Sequence, residues 1–194
     1  MPMSLKGGIM KSGYAAIIAV AASLVLAGCQ TTGNSSGGDK FVRVNTSSLP
    51  AQAEASAQAD TPLARALLDE VNAFRKSKGA GPLSVDPRLQ KAAAVHSQDM
   101  ALRDFFGHFN PDDQGPKERV LAVDEDYKGS LAENIVFVQG PDLDDKALAK
   151  KLFTKWRNSP AHRRNMQDPS FTITGMGVAR SGDKVYATEV FGGP

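Results

Sequence analysis

Apolar residues return at helical spacing in four stretches of this chain. Leu63, Leu67, Val71 and Phe74 share one face between Pro62 and Gly79. Asp60 or Thr61 can cap that helix, the proline suits its first turn and the glycine marks its stop. Asp86-Pro87 opens a second helix by the same logic, with Leu89, Ala92, Ala93, His96 and Met100 on its inner face. A short third helix is expected over Pro116 to Val123, carrying Arg119, and a fourth over Asp142 to Ser159. In the fourth, Leu148, Leu152 and Trp156 form the apolar stripe, which Ser159 continues. Acids at Asp142, Asp144 and Asp145 and bases at Lys155 and Arg157 complement its dipole. Pro160 disfavours helix at Ser159 and is expected to end the element there, leaving His162 just beyond. Strand-like runs follow at Ile135 to Val138, Phe171 to Arg180 and Val185 to Phe191, the last two joined by Ser181-Gly182-Asp183-Lys184 as a hairpin. Few parallel crossovers fit this order, so helices packed on an antiparallel sheet, an α+β class, is the expected architecture.

Composition changes the picture mainly at the N-terminus. The chain has 194 residues, 41% hydrophobic and 23% charged, an ordinary globular balance. Lys6 and Lys11 precede an apolar run from Gly13 to Leu26, of signal-peptide length and too short to span a bilayer comfortably. The run closes on Leu26-Ala27-Gly28-Cys29, which resembles the lipobox of bacterial lipoproteins. That resemblance implies cleavage before Cys29 and acylation of its thiol and amine, so that the membrane becomes a partner through an N-terminal acyl anchor. Gln30 resembles the signal for outer-membrane sorting in Gram-negative bacteria. Cys29 is the sole cysteine, which rules out an intramolecular disulfide. Residues 1–28 hold two bases and no acid, so removing them takes the formal charge from +2 to 0. No case for a nucleic-acid partner survives that correction. From Gln30 to about Asp60 the chain runs to Thr, Gly, Asn, Ser, Ala and Gln, with Phe41-Val42-Arg43-Val44 its one strand-like fragment. The expected division is therefore a signal segment over 1–28, an acylated cysteine and flexible tether over 29–60, and a folded domain over 61–194.

Within that domain a few residues stand outside the packing pattern. His108 lies in the aromatic, turn-rich loop Phe105-Phe106-Gly107-His108-Phe109-Asn110-Pro111. Glu133 sits just before an apolar strand, where a carboxylate must reach solvent or meet a donor. Ser159 and His162 stand at the mouth of a buried helix face. His96, among apolar neighbours, reads as a hydrogen-bonded core residue. Arg157, Arg163 and Arg164 form a basic cluster that could meet phosphate, anionic lipid or cell-wall acids, though such clusters are more often a solvated surface.

The motifs Asn72-Ala73-Phe74-Arg75, Asp86-Pro87-Arg88-Leu89, His96-Ser97-Gln98-Asp99-Met100-Ala101, His108, Ala132-Glu133-Asn134-Ile135, Trp156-Arg157-Asn158-Ser159, His162-Arg163-Arg164-Asn165-Met166 and Gly175-Met176-Gly177-Val178-Ala179 occur in the order of a bacterial CAP domain. The family takes in cysteine-rich secretory proteins, antigen 5 and pathogenesis-related 1 proteins, and the resemblance spans Pro62 to Phe191. It implies a three-layer α-β-α sandwich with a central antiparallel sheet, and an open cleft carrying two His and two acids. His108, Glu133 and His162 match three of those four. Ser159 stands where animal and plant members have the second acid, as in other bacterial members. Glu189 stands where a family strand usually has Gln. Some members bind zinc through the two His, so His108 and His162 are the metal candidates; the bland alternative is a hydrogen-bonded polar cluster holding Glu133 and its loops. A serine hydrolase is disfavoured, since Ser159 lacks a Gly-x-Ser-x-Gly elbow. The expected function is a lipid-anchored cell-envelope module that binds a lipid, sterol, peptide or cell-wall ligand in the cleft. The alternative is a metal-dependent hydrolase, and the fold alone does not choose between them.

Overall fold

The computed structural model describes residues 48–139 and 143–194. The signal segment, Cys29, Gln30, the Phe41 to Val44 fragment and Asp142 lie outside the described residues. In order the elements are α1 (Ala51–Ser56), α2 (Pro62–Ser77), β1 (Ser84–Val85), α3 (Pro87–Arg103), α4 (Pro116–Val123), β2 (Ser130–Gln139), α5 (Asp145–Asn158), α6 (Pro160–Gln167), β3 (Ile173–Ser181) and β4 (Lys184–Gly193).

Caps set the helix starts. Thr61 Oγ1 accepts from the Ala64 N–H at 3.2 Å, the Asp86 carboxylate from the N–H groups of Arg88 and Leu89, and Asp144 Oδ1 from Ala147 at 2.8 Å. Each satisfies an N–H that the first helical turn leaves without an intrahelical partner. Asp144 as cap places the start of α5 at Asp145 rather than Asp142.

The sheet has the order β1-β3-β4-β2. β2 pairs with β4 and β4 with β3, both antiparallel, while the two-residue β1 pairs parallel with β3. The expected antiparallel sheet therefore carries one short parallel addition. Side chains alternate between two helical layers, as the period of two along a strand requires. Val136, Met176, Val178, Ala187 and Phe191 face α2, α5 and α6, sharing a core with Leu67, Leu152 and Trp156. Ile135, Ala179, Tyr186 and Val190 face the other way, toward α3 and α4. The α-β-α sandwich is thus observed.

Two glycines let the sheet approach α3. A Cβ on Gly175 would collide with the Leu89 backbone, and one on Gly177 with the backbone of Ala93. The facing run Ala92-Ala93-Ala94 is small for the same reason. On the opposite layer Arg75, fully buried, donates to the carbonyls of Gly81, Met166, Asp168 and Phe171 at 2.7–2.9 Å. It ties α2 to the segment that follows α6 and so fixes where α6 lies.

Two expectations change. Residues 51–56, assigned to the tether, form α1, and Leu49 and Ala53 are buried against Val95 of α3. Two small apolar contacts are too few to register as periodicity. Second, Ser159 does not extend the α5 stripe. It is extended (φ −86°, ψ 121°) and caps α6, whose first residue is Pro160. Proline both ended one helix and began the next, because its fixed φ suits a first turn. His162 is therefore in the first turn of a helix rather than in a loop. Among the described residues no helix is long and apolar enough to cross a membrane.

Candidate functional site

The site forms where the loop after α3, the start of β2 and the α5–α6 corner meet. The loop is clamped from below. His96 Nε2 donates to the Gly107 carbonyl at 2.9 Å, and Arg119 Nη1 donates to the His108 carbonyl at 2.9 Å and to that of Gln114 at 2.6 Å. Burial, with Arg119 nearby, pushes His96 down to about 3. It is therefore neutral, with the donated proton on Nε2.

Glu133 is 1% exposed at its side chain and meets two donors. Its Oε1 accepts from His108 Nδ1 at 2.8 Å and its Oε2 from Arg119 Nη2 at 2.6 Å. Burial alone would raise its pKa. The His108 hydrogen bond and the Arg119 charge outweigh it and hold the carboxyl below the usual range. An ionised Glu133 in turn fixes the His108 proton on Nδ1 and leaves Nε2 facing outward, on a side chain that is 47% exposed.

His162 is half-buried. Its N–H points at Ser159 Oγ at 3.5 Å and its carbonyl accepts from Asn134 Nδ2 at 3.1 Å. Asn165 Nδ2 donates to Asn134 Oδ1 at 2.9 Å and to the Glu133 carbonyl at 3.4 Å. These bonds hold α6 against β2. Burial, and then the charge of His108, lower the His162 pKa. The His108 imidazole is thus close enough to oppose protonation of His162. Beside them runs a groove of about 480 Å³ lined by Phe106, Ile135, Val136, Phe137, Lys155, Asn158, Ser159 and His162.

The structure thus gathers His108, Glu133, Ser159 and His162. It leaves Glu189 out: that side chain is fully buried in the layer facing α2 and lines no part of the groove. Arg157 and Arg163 do not converge on a ligand either, since Arg163 donates to the Arg157 carbonyl and Arg157 stacks over Phe153. A catalytic zinc centre takes three protein ligands. Here both Glu133 oxygens are engaged, so two imidazoles are all the cluster offers. Among the described residues no group of three or more His, Cys, Asp or Glu is placed to hold a metal. His108 takes one Glu133 oxygen and Arg119 the other, which leaves His108 and His162, the two metal candidates, without the carboxylate beside them.

Arg119, Asn134 and Asn165 are the participants that sequence reasoning missed. Arg119 lies on the inner side of α4, where an arginine must find an acceptor. That much could have been read, but not which acid it meets.

A model of the cysteine-rich secretory protein family, CAP, matches residues 68–191. An uncharacterized Bacillus subtilis protein, YkwD, is 32% identical over 116 residues, covering 60% of this chain and 42% of its own length. An outer surface protein of Borrelia burgdorferi has the same fold at 17% identity and a TM-score of 0.57, covering 71% of this chain and 98% of its own. An extracellular Bacillus anthracis protein containing an SCP domain aligns at 24% identity and a TM-score of 0.52, over 66% of this chain and 39% of its own. The chain spans less than half the length of the Bacillus subtilis relative.

Proposed function

The chain belongs to the cysteine-rich secretory protein (CAP) family, and from that premise we propose that it is a cell-envelope binding module whose groove takes a ligand without covalent chemistry. The observation that carries this is the use of Glu133. A carboxylate that is itself to act as acid, base or metal ligand needs a free oxygen, and both oxygens of Glu133 hold His108 and Arg119 in place. Ser159 is spent as the cap of α6 and has no base activating it. What faces the groove is an imidazole edge, a lysine, amide and hydroxyl groups and an apolar wall, the usual equipment of a recognition site. The hydrolase reading has no observation of its own.

The test sets the purified protein against envelope phospholipids, peptidoglycan fragments and peptides, following the His162 ring signals by NMR alongside a turnover assay on casein. Saturable shifts of His162 by one class, lost on Phe106→Ala and without turnover, are expected. Turnover that disappears in His108→Ala would sink the binding reading.

Envelope placement rests on the Lys6–Cys29 segment and agrees with the surface and extracellular proteins that share the fold. We assign the anchor to Cys29, where buried acyl methylenes contribute about 0.8 kcal/mol each to membrane affinity. Cys29→Ala should abolish palmitate labelling and shift the protein out of the membrane fraction. Undiminished labelling would show that another residue carries the acyl chains.

A further inference from the structure

The free edge of β2 is the most distinctive feature of the groove, and its direction follows from two independent sets of hydrogen bonds. In an antiparallel pair, successive residues turn their N–H and C=O alternately toward the partner and away from it. Asn165 reaches the Glu133 carbonyl from α6, so Glu133 is turned away from β4, and with it Ile135 and Phe137. The other route starts on β3. Both backbone groups of Met176 are taken by the Gln90 side chain, at 2.7 and 2.9 Å, so Met176 is turned away from its register partner Glu189. Glu189 then turns toward Asn134, which again leaves Glu133, Ile135 and Phe137 facing outward.

Both edges of the sheet are partly open. Along the β3 side, β1 covers Thr172 and Thr174 and Gln90 covers Met176, and no such cover is seen for Val178 and Arg180 among the described residues. On β2, among the described residues, Asn165 covers Glu133 and no such bond covers Ile135 or Phe137. Ile135 and Phe137 open into the groove, which they line with Val136. An uncovered edge of this kind is a template for another strand.

We propose that β2 accepts an extended peptide as a fifth strand, hydrogen-bonded to Ile135 and Phe137 and running past His162. This rests on the reading of the groove as a binding site and names its ligand class. The walls set the side-chain pattern, because residues of an added strand alternate between the two layers. On the α3 side stands Phe106, 48% exposed and packed edge-on against Phe137 at 5.0 Å, which suits an apolar residue. On the α5 side stand Lys155, Asn158 and Ser159. Lys155 forms no ion pair among the described residues, and an acidic residue suits it. The preferred segment alternates apolar and acidic side chains.

The probe is the blocked peptide acetyl-Glu-Val-Glu-Val-Glu-Val-amide, titrated into the full protein while backbone amides are followed by NMR. Two further peptides carry N-methyl groups on alternate residues, one set per edge. They keep every side chain and remove the donors of one edge only. Binding is expected to shift the Ile135 and Phe137 amides. One N-methylated peptide should lose at least about tenfold in affinity, as two lost hydrogen bonds imply, and the other should bind as the parent does. Lys155→Glu, at an exposed position, should weaken the glutamate peptide and favour its lysine counterpart. Equal binding of both N-methylated peptides would overturn strand addition while leaving the groove a binding site. Absence of peptide binding, with lipids or glycans still shifting His162, would likewise overturn this inference alone. Failure of every class to shift His162 would overturn both readings.

Discussion

Replacing Arg119 by Ala will destabilise the protein by about 3–5 kcal/mol, the usual cost of removing one partner from a buried ion pair. Arg119 and Glu133 are each 1% exposed at the side chain, so water cannot replace the lost guanidinium. The same side chain holds the carbonyls of His108 and Gln114, so the loop carrying His108 loosens at the same time. The loss should depend on pH in a direction that identifies its cause. In the parent, the His108 hydrogen bond and the Arg119 charge together overcome the effect of burial and keep the Glu133 carboxyl below its ordinary value. A depressed carboxyl contributes stability that is present above the unfolded value and disappears as pH falls through the folded one. Without Arg119 burial dominates, and keeping Glu133 ionised becomes the cost. The deficit should therefore be large at pH 7 and shrink toward pH 4, where Glu133 takes up a proton. The double variant Arg119→Met/Glu133→Leu should recover most of the loss, since neither charge then remains. Urea unfolding at both pH values measures all of this. A midpoint for Arg119→Ala equal to the parent's at pH 7 would show that the pair does not hold the site together.

Glu189→Gln should change the pH dependence of stability more than any other single substitution in the sheet. Glu189 is fully buried. Its Oε1 accepts only a long bond from Thr174, at 3.4 Å, and its Oε2 has no partner among the described residues. Burial pushes the carboxyl from an ordinary 4.5 up to about 8, against weaker opposing effects of the Thr174 hydrogen bond and the Arg75 charge. The folded state then holds a proton that the unfolded chain releases. The sign follows: this contribution is complete below the unfolded value and is lost as pH rises toward the folded one. Between about pH 4.5 and pH 7 the parent should lose on the order of 3 kcal/mol on this account. Gln, neutral throughout, loses none of it. His96, pushed down to about 3, works in the opposite sense, since stability it removes in acid returns as pH rises. The difference between Glu189→Gln and parent isolates the carboxyl. If that difference stays flat from pH 4.5 to pH 8, Glu189 does not remain protonated in the fold.

The elements that were legible in the sequence carry their own local instructions. The α3 inner face of Leu89, Ala92, Ala93, His96 and Met100 followed from spacing alone, and the Asp86-Pro87 cap from its two residues. The limits of α4 were read to the residue, its start because the fixed φ of Pro116 suits a first helical turn. β4 is different. Its two faces are both buried, so Glu189 sits in an apolar strand with no alternation to say which way it points.

The site repeats the division. His108, Glu133, Ser159 and His162 could be named from motifs, and the rule that a buried carboxylate needs a donor predicted that Glu133 would have one. Which donor it would be was beyond local reasoning, because Arg119 comes from a different element, helix α4, 14 residues away along the chain. Ser159-Pro160 likewise fits a helix end and a helix start; local sequence gives the end, and the packing of α6, through Arg75 and Asn134, adds the start.

The sequence by itself determined which segments could be helix or strand, where the caps fall and which polar residues packing could not absorb, since each of these depends on neighbours within a turn or two. Tertiary structure decided how those residues are used. It took Glu133 out of service as an acid by giving both oxygens to other side chains. It buried Glu189 without a full complement of hydrogen bonds, and it left Ile135 and Phe137 on an uncovered edge. Burial and pairing are properties of the space between elements, and no periodicity along a single element records them.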